Sequence, residues 1–257
     1  MTRSTERVAL VTGGSRGVGR AVVRRLAADG HTVVFSYRKD RDAADTVISD
    51  VEKEGGKAVA LPADLRQPGA ATALAEEALA AVGPVSVLVS NAGMASRGLS
   101  VAETSRDEYL SFFQLNALVI TELAGAVLPG MRVAGAGSIV VISSTVTSSL
   151  PPYTGPYAAA KSAGEALVRV LALEERAHGI RVNSLAPGLI ATDMGDRLVK
   201  ANVDGARVSD LDAGHPFKRV CRPGDVAAAV AYLTEPDNYV TGHRLVIDGG
   251  GPSNQIY

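Results

Sequence analysis

The chain has 257 residues, 46% of them apolar and 21% charged, a composition that excludes global disorder and suits one large domain with its own core. Its 26 basic and 27 acidic residues leave a formal net charge of −1, which removes the electrostatic footprint of a nucleic-acid or anionic-membrane binder. A lone cysteine, Cys221, excludes an intrachain disulfide and a thiolate metal cluster.

Apolar runs alternate with helical periodicity along the chain. Residues 8–12 read as a strand ended by glycines, and 20–29 as a helix stopped at Gly30. Residues 31–36 read as a second strand, followed by a polar helical stretch to Lys53 and a third strand over 58–61. A helix over 70–82 closes at Gly83-Pro84. Strands four to seven fall at 85–90, 137–142, 180–185 and 243–248, separated by helices over 106–131, 157–178 and 225–233. The strands are near-continuous Val, Ile and Leu runs, which means burial on both faces. Strict alternation then predicts a doubly wound α/β fold, a mostly seven-stranded parallel sheet with helices on both faces, in one domain over 1–257. Residues 192–223 are irregular, with a short helical piece over 193–200, and read as a substrate loop or lid.

Cys221 reads as a small, partly buried hydrophobe. His31, His178, His215 and His243 lack metal-ligand spacing and read as loop or surface histidines, so no metal site is expected. Residues 1–7 are polar, with no apolar export segment, and no apolar run approaches the roughly 20 residues needed to span a bilayer. A cytoplasmic protein, with no membrane and no nucleic acid among its partners, is the expectation.

Strand one runs into Thr12-Gly13-Gly14-Ser15-Arg16-Gly17-Val18-Gly19, directly before a helix. Glycines at 13, 17 and 19 permit a tight turn and close backbone approach to a diphosphate, which the helix N-terminus then attracts. The loop lacks the Gly-Lys-Ser/Thr of a phosphate-loop NTPase, which argues against ATP or GTP. About 20 residues on, an NAD enzyme places an acid for the ribose 2′-hydroxyl. Here stand Ser36-Tyr37-Arg38-Lys39, with Asp40 just beyond. Arg38, with Arg16 from the loop, would pair with a 2′-phosphate, so NADP(H) is expected over NAD(H). Further along, Ser144 follows an apolar strand, and Tyr157 and Lys161 are four apart at the start of a helix, hence on one face.

With these motifs in order, the sequence resembles the short-chain dehydrogenase/reductase family in its single-domain form, over 8–250, and looks nearest to 3-oxoacyl-carrier-protein reductases. The family's glycine loop T-G-x-x-x-G-x-G is Thr12 to Gly19. The resemblance makes Asp64, followed by Leu65, the aspartate near the adenine. Its N-N-A-G motif appears as Ser90-Asn91-Ala92-Gly93, with Ser for the first Asn. It implies catalytic roles for Asn116, Ser144, Tyr157 and Lys161. Pro187-Gly188, Ile190 and Thr192 match the family's contacts to the nicotinamide carboxamide and diphosphate.

The resemblance implies hydride transfer between nicotinamide and a ketone or secondary alcohol. Tyr157 would exchange the proton, its pKa lowered from near 10 by the Lys161 ammonium and the oxidised ring. Ser144 would hydrogen-bond the carbonyl, Lys161 hold the ribose hydroxyls, and Asn116 hold a water leading to solvent. Met94, Val146, Tyr153, Leu189 and Met194 are the candidate substrate wall, with Arg97 and Arg197 as solvated alternatives to anion contacts. A ketoreductase is expected. The same residues would serve an alcohol dehydrogenase working in the oxidative direction, while a catalytically silent dinucleotide-binding protein would tend to lose one of them. Related enzymes form tetramers, and small residues Ala159, Ala163, Gly164 and Ala166 would permit close helix packing between subunits.

Overall fold

Every strand pair in the protein is parallel, so all strand C-termini lie along one edge. The computed structural model describes residues 7–251 apart from 95, 97, 203–206 and 216. The strands are β1 (Arg7–Val11), β2 (His31–Tyr37), β3 (Lys57–Pro62), β4 (Val87–Ser90), β5 (Gly137–Ile142), β6 (Ile180–Pro187) and β7 (Arg244–Ile247). Their order is β3-β2-β1-β4-β5-β6-β7. The chain builds outward from β1, then returns to set β4 on its other side, with Val11 opposite Phe35 and Val89. This reversal opens a crevice at the strand C-termini, where ligands of open α/β sheets bind.

The helices are α1 (Gly17–Ala28), α2 (Arg41–Lys53), α3 (Ala70–Val82), α4 (Arg106–Phe113), α5 (Val119–Ala134), α6 (Val146–Ser149), α7 (Gly155–Glu175), α8 (Asp193–Asn202) and α9 (Pro223–Thr234). Alternate residues of each strand face opposite layers. Leu10, Val34, Leu88, Ile139 and Val182 pack on α3, α5 and α7 through Leu74, Leu123 and Val168. Val11, Phe35, Val89, Val140 and Leu185 pack on α1, α2 and α9 through Val22, Val47 and Val230. The doubly wound α/β fold follows from this two-sided burial.

Four features differ from the sequence expectation. The helix expected over 106–131 is divided by one wide π turn, Gln114–Leu118, between α4 and α5. No proline or glycine marks that turn, so periodicity alone runs straight through it. Second, the Arg106–Ala134 run is long and apolar enough to cross a membrane, with mean hydropathy 1.5, but 56% of its apolar window is buried inside the protein. It belongs to the core. Third, His31 is buried at the start of β2, its Nδ1 3.0 Å from the Leu26 carbonyl oxygen, because the tight Gly30 turn folds it back on α1. Fourth, Gly164 is spent within its own chain: a Cβ there would stand 2.7 Å from the Asn116 carbonyl oxygen.

In the irregular segment, α8 and the short turn Val208–Gly214 share a small apolar cluster, Val199, Val208 and Val220, joined by Leu189. Positions 203–206 and 216 of it lie outside the described residues.

A Cβ on Gly19 would fall 2.1 Å from the Gly13 carbonyl oxygen, a backbone atom that cannot swing aside. Gly19→Ala is expected to lower unfolding stability by about 1–3 kcal/mol, the usual scale for overpacking, measured by urea denaturation.

Candidate active site

The glycine loop is pinned from both neighbouring strands. The buried Thr12 hydroxyl accepts from the Asn91 and Ala92 amides, each at 2.9 Å. Asn91 Nδ2 donates back to the carbonyls of Thr12 (2.9 Å) and Gly13 (3.2 Å). From β2, Ser36 accepts the Gly13 amide on Oγ and the Gly14 amide on its carbonyl. Gly13 and Gly17 take φ of 68° and 54°, which side-chain-bearing residues rarely adopt. The α1 N-terminus has no side-chain cap, and its first turn has no acid. The positive end of its dipole is thus left uncompensated. Ser15 is buried and Val18 packs half-buried against the core, so the loop can offer its backbone.

Across the crevice, Thr192 lies 3.5 Å from where a Cβ on Gly17 would stand. A Cβ on Gly93 would stand 3.6 Å from Asn116 Oδ1 and 3.9 Å from Lys161 Nζ. Gly93 thus keeps open the gap between the end of β4 and Lys161. This glycine-lined cradle fits a dinucleotide. Ala92 packs against the core, and Ile190 does the same on the other face. Gly188 has a further reason to lack a side chain, since a Cβ there would meet the Asp248 Cβ at 2.9 Å. Pro187 ends β6 beside it.

At the end of β2 the sequence-predicted residues divide. Arg38 and Arg16 are exposed. Tyr37 is buried in the core. Asp40 accepts the Ala43 amide at 3.0 Å and so caps α2. Asp64 is gripped by Arg66, whose Nε lies 2.8 Å from Oδ1 and whose other arm reaches Oδ2. That pairing, aided by the charge of Arg38, holds the Asp64 carboxyl at about 2. Leu65 turns into the core, 4% exposed, leaving its backbone for any ligand. Arg66 escaped the sequence reading; its signal was its place two residues beyond Asp64.

The residues expected from the sequence to be catalytic assemble at the ends of β4 and β5. Ser144 follows β5. Pro156 in the first turn of α7 brings Tyr157 up beside it, near enough for the Ser144 hydroxyl to favour the phenolate. Phe112, which the sequence reading also missed, meets the Tyr157 ring edge-on at 6.3 Å. It stands one helical turn before Asn116, on the apolar side of α4. One turn past Tyr157, the buried Lys161 Nζ donates to the Ile142 carbonyl at 2.6 Å and lies 5.8 Å from the Tyr157 ring centre. Asn116 sits in the wide turn between α4 and α5. Its Nδ2 donates to the Phe112 carbonyl at 3.0 Å, while its buried Oδ1 has no protein partner among the described residues.

Burial raises the Tyr157 phenol above its ordinary 10, opposed by the Ser144 hydrogen bond. The net shift in the protein alone is thus opposite to the lowering expected from the sequence, which counted the oxidised coenzyme as well as Lys161. Desolvation penalises the phenolate and outweighs the hydroxyl's help. The same desolvation pushes Lys161 down to about 8, opposed by the Glu165 carboxylate. Arg197 on α8 is exposed, and Arg97 lies outside the described residues. Of the substrate candidates, Tyr153 and Met194 are exposed (59% and 40%). Val146 is buried, Met94 packs against the core, and Leu189 anchors the cluster under α8. Cys221 packs against the core with its thiol raised to about 11, as a small hydrophobe does. No cluster of three metal-ligating side chains occurs among the described residues.

Between about pH 8 and 10.5 the unfolded chain holds a proton on Lys161 that the native chain has released. Stability therefore rises with pH through that window, and the cost of burying the ammonium is fully present below it. A 13Cε-lysine NMR titration, assigned with Lys161→Met, is expected to find this midpoint near 8, and an ordinary midpoint of 10.5 would contradict the buried geometry.

The chain matches, over residues 13–251, the profile of a family described as Enoyl-(Acyl carrier protein) reductase. It is 35% identical over 256 residues to a short-chain type dehydrogenase/reductase of Picea abies, covering 95% of this chain and 92% of that one. It is 32% identical to a 3-oxoacyl-[acyl-carrier-protein] reductase of Synechocystis, covering 97% and 98%. Among solved structures, a blue fluorescent protein from a metagenomic library, in complex with NADPH, superposes with a TM-score of 0.83 at 36% identity, covering 95% of this chain and 97% of that one.

Proposed function

The chain belongs to the short-chain dehydrogenase/reductase family, and on that premise we propose that it is an NADP(H)-dependent ketoreductase acting on a small ketone, 3-oxoacyl or related. The observation that carries this reading is the buried Tyr157 beside Ser144 with Lys161 one helical turn on, its Nζ 5.8 Å from the Tyr157 ring and facing the glycine cradle. Two hydroxyls that converge in this way can both address one carbonyl oxygen.

In this reading, the diphosphate rests on the backbone of Gly13, Ser15, Gly17, Val18 and Gly19 at the α1 N-terminus. Asp64 and Leu65 flank the adenine. Asn91, Ala92 and Gly93 wall the cleft opposite Pro187, Gly188, Ile190 and Thr192. Arg38 and Arg16, both exposed at the mouth, pair with the 2′-phosphate. A relative of known structure holds NADPH, which agrees with that choice.

Bound NADPH supplies the hydride for the carbonyl carbon. Ser144 Oγ donates a hydrogen bond to the carbonyl oxygen and fixes its pose. Tyr157 Oη gives its proton to the same oxygen as negative charge builds there. Burial suits the phenol to this direction, because it keeps the proton on Oη at neutral pH. The Lys161 ammonium then stabilises the phenolate left behind. Asn116 Oδ1, buried and without a protein partner, is placed to accept from a water that returns a proton toward Lys161. Segment 192–223 acts as the lid over the ketone, with Met94, Val146, Tyr153, Leu189 and Met194 nearest it, and the enzyme works as a homotetramer or a homodimer.

Tyr157→Phe is expected to lose nearly all NADPH oxidation against a panel of ethyl acetoacetate, diacetyl and cyclohexanone while still quenching on NADPH binding. Near-native turnover in that variant would sink the assignment. Arg38→Ala is expected to raise the KM for NADPH roughly 10- to 100-fold, the scale of a lost charge-assisted contact, and to leave the KM for NADH unmoved in parallel assays.

A further inference from the structure

Glu165 stands one helical turn after Lys161 on α7, with its side chain 12% exposed. One of its oxygens, Oε1, accepts from three groups: Ser143 Oγ at 2.5 Å, Thr147 Oγ1 at 3.0 Å and Arg244 Nε at 2.8 Å. Arg244, the first residue of β7, is 17% exposed. Its other arm donates to the Ser144 carbonyl at 3.2 Å and to Thr147 Oγ1 at 2.9 Å. On the far side, the amides of Ser143 and Thr145 donate to the carbonyls of Leu185 and Pro187 in β6. The backbone of Ser144 is thus held from β6 on one side and from β7 on the other.

We propose that Glu165 and Arg244 are positioning residues for the reaction: together they fix Ser144 against Tyr157, and Glu165 stands as the counter-charge of Lys161. The proposal rests on the ketoreductase reading and deepens it. A buried charge needs a partner, and Lys161 otherwise meets only polar neutral groups on this side. The groups facing it are Tyr157 and Glu165 from α7, the Ile142 carbonyl from β5 and Asn116 from the wide turn; Arg244 from β7 stands behind Glu165. Glu165 favours the ammonium against desolvation. Without the carboxylate, Arg244 loses its ion-pair partner and Lys161 loses the acid one helical turn along α7 that favours its charge. Arg244 cannot be replaced by a lysine without loss, because only a planar fork reaches a carboxylate, a hydroxyl and a carbonyl at once.

The test uses Glu165→Gln, which keeps size and an acceptor oxygen but loses the charge. Three readouts apply: kcat for NADPH-dependent reduction of ethyl acetoacetate across about pH 6–10, NADPH affinity by fluorescence, and the Lys161 midpoint by 13Cε-lysine NMR. Expected are a kcat about tenfold lower, which corresponds to about 1.4 kcal/mol, and NADPH affinity held within about twofold. The alkaline limb of the profile and the NMR midpoint both move to lower pH. Glu165→Asp moves them back toward the native positions. Arg244→Lys keeps a cation and leaves the limb in place while lowering kcat about tenfold. If limb and midpoint stay put in Glu165→Gln, the pair merely ties α7 to β7, and the proposal is overturned whatever the change in stability. If Glu165→Gln does not fold, Arg244→Lys decides, and a kcat within about twofold of native overturns it. Failure of the ketoreductase reading looks different: native protein then reduces no ketone or Tyr157→Phe stays active, and the NMR midpoint still tests the Glu165–Lys161 pairing.

Discussion

A parallel sheet directs every strand C-terminus to the same edge, and a chain that reverses its strand order must leave a gap there. In this protein the gap lies between β1 and β4. It is bridged by one small polar tie, the Thr12 hydroxyl and the Asn91 amide, which serve each other's backbone. Buried backbone groups at such a seam must be paired, and strand ladders cannot reach them. The tie pairs them and holds the glycine loop rigid beneath the α1 N-terminus. The cradle and the reacting groups beyond it depend on that seam.

The candidate catalytic groups carry an electrostatic cost that the rest of the site offsets. Lys161 is buried against a carbonyl and an aromatic ring, and desolvation works against its charge. Glu165, paired with Arg244 and little exposed, stands one helical turn along α7, and its charge favours the ammonium. The wide turn at Gln114–Leu118 is a second local irregularity at the same site. It turns Asn116 inward, where Gly164 on α7 allows the two backbones to approach. Irregular turns and unpaired groups collect at the candidate site, and the regular layers around them supply the stability.

Much of the site was legible because it is local in sequence. The glycine loop, the Ser144 position and the Tyr157–Lys161 spacing each declare themselves within one strand–turn–helix unit. The residues that escaped were those whose meaning depends on distant partners. Arg244 reaches Glu165 and Ser144 from 79 and 100 positions away. Tyr37 and Leu65 carried the right sequence position, but packing turned their side chains into the core. Asp40 stood close to the place of a ribose-binding acid, yet the Ala43 amide claims it as a helix cap. His31 carried no signal of burial, because only the tight Gly30 turn folds it against α1.

The sequence by itself determined the α/β layering, since buried Val, Ile and Leu runs have no stable home other than a sheet covered on both faces. It also located the glycine loop and the Ser144, Tyr157 and Lys161 cluster, which rest on short-range geometry. Only the tertiary structure decided where the long helix opens at Asn116, which way the phenol of Tyr157 titrates and what stands behind Ser144 and Lys161. Those depend on desolvation and on charges brought together from β5, α7 and β7, and neither quantity exists until the layers close.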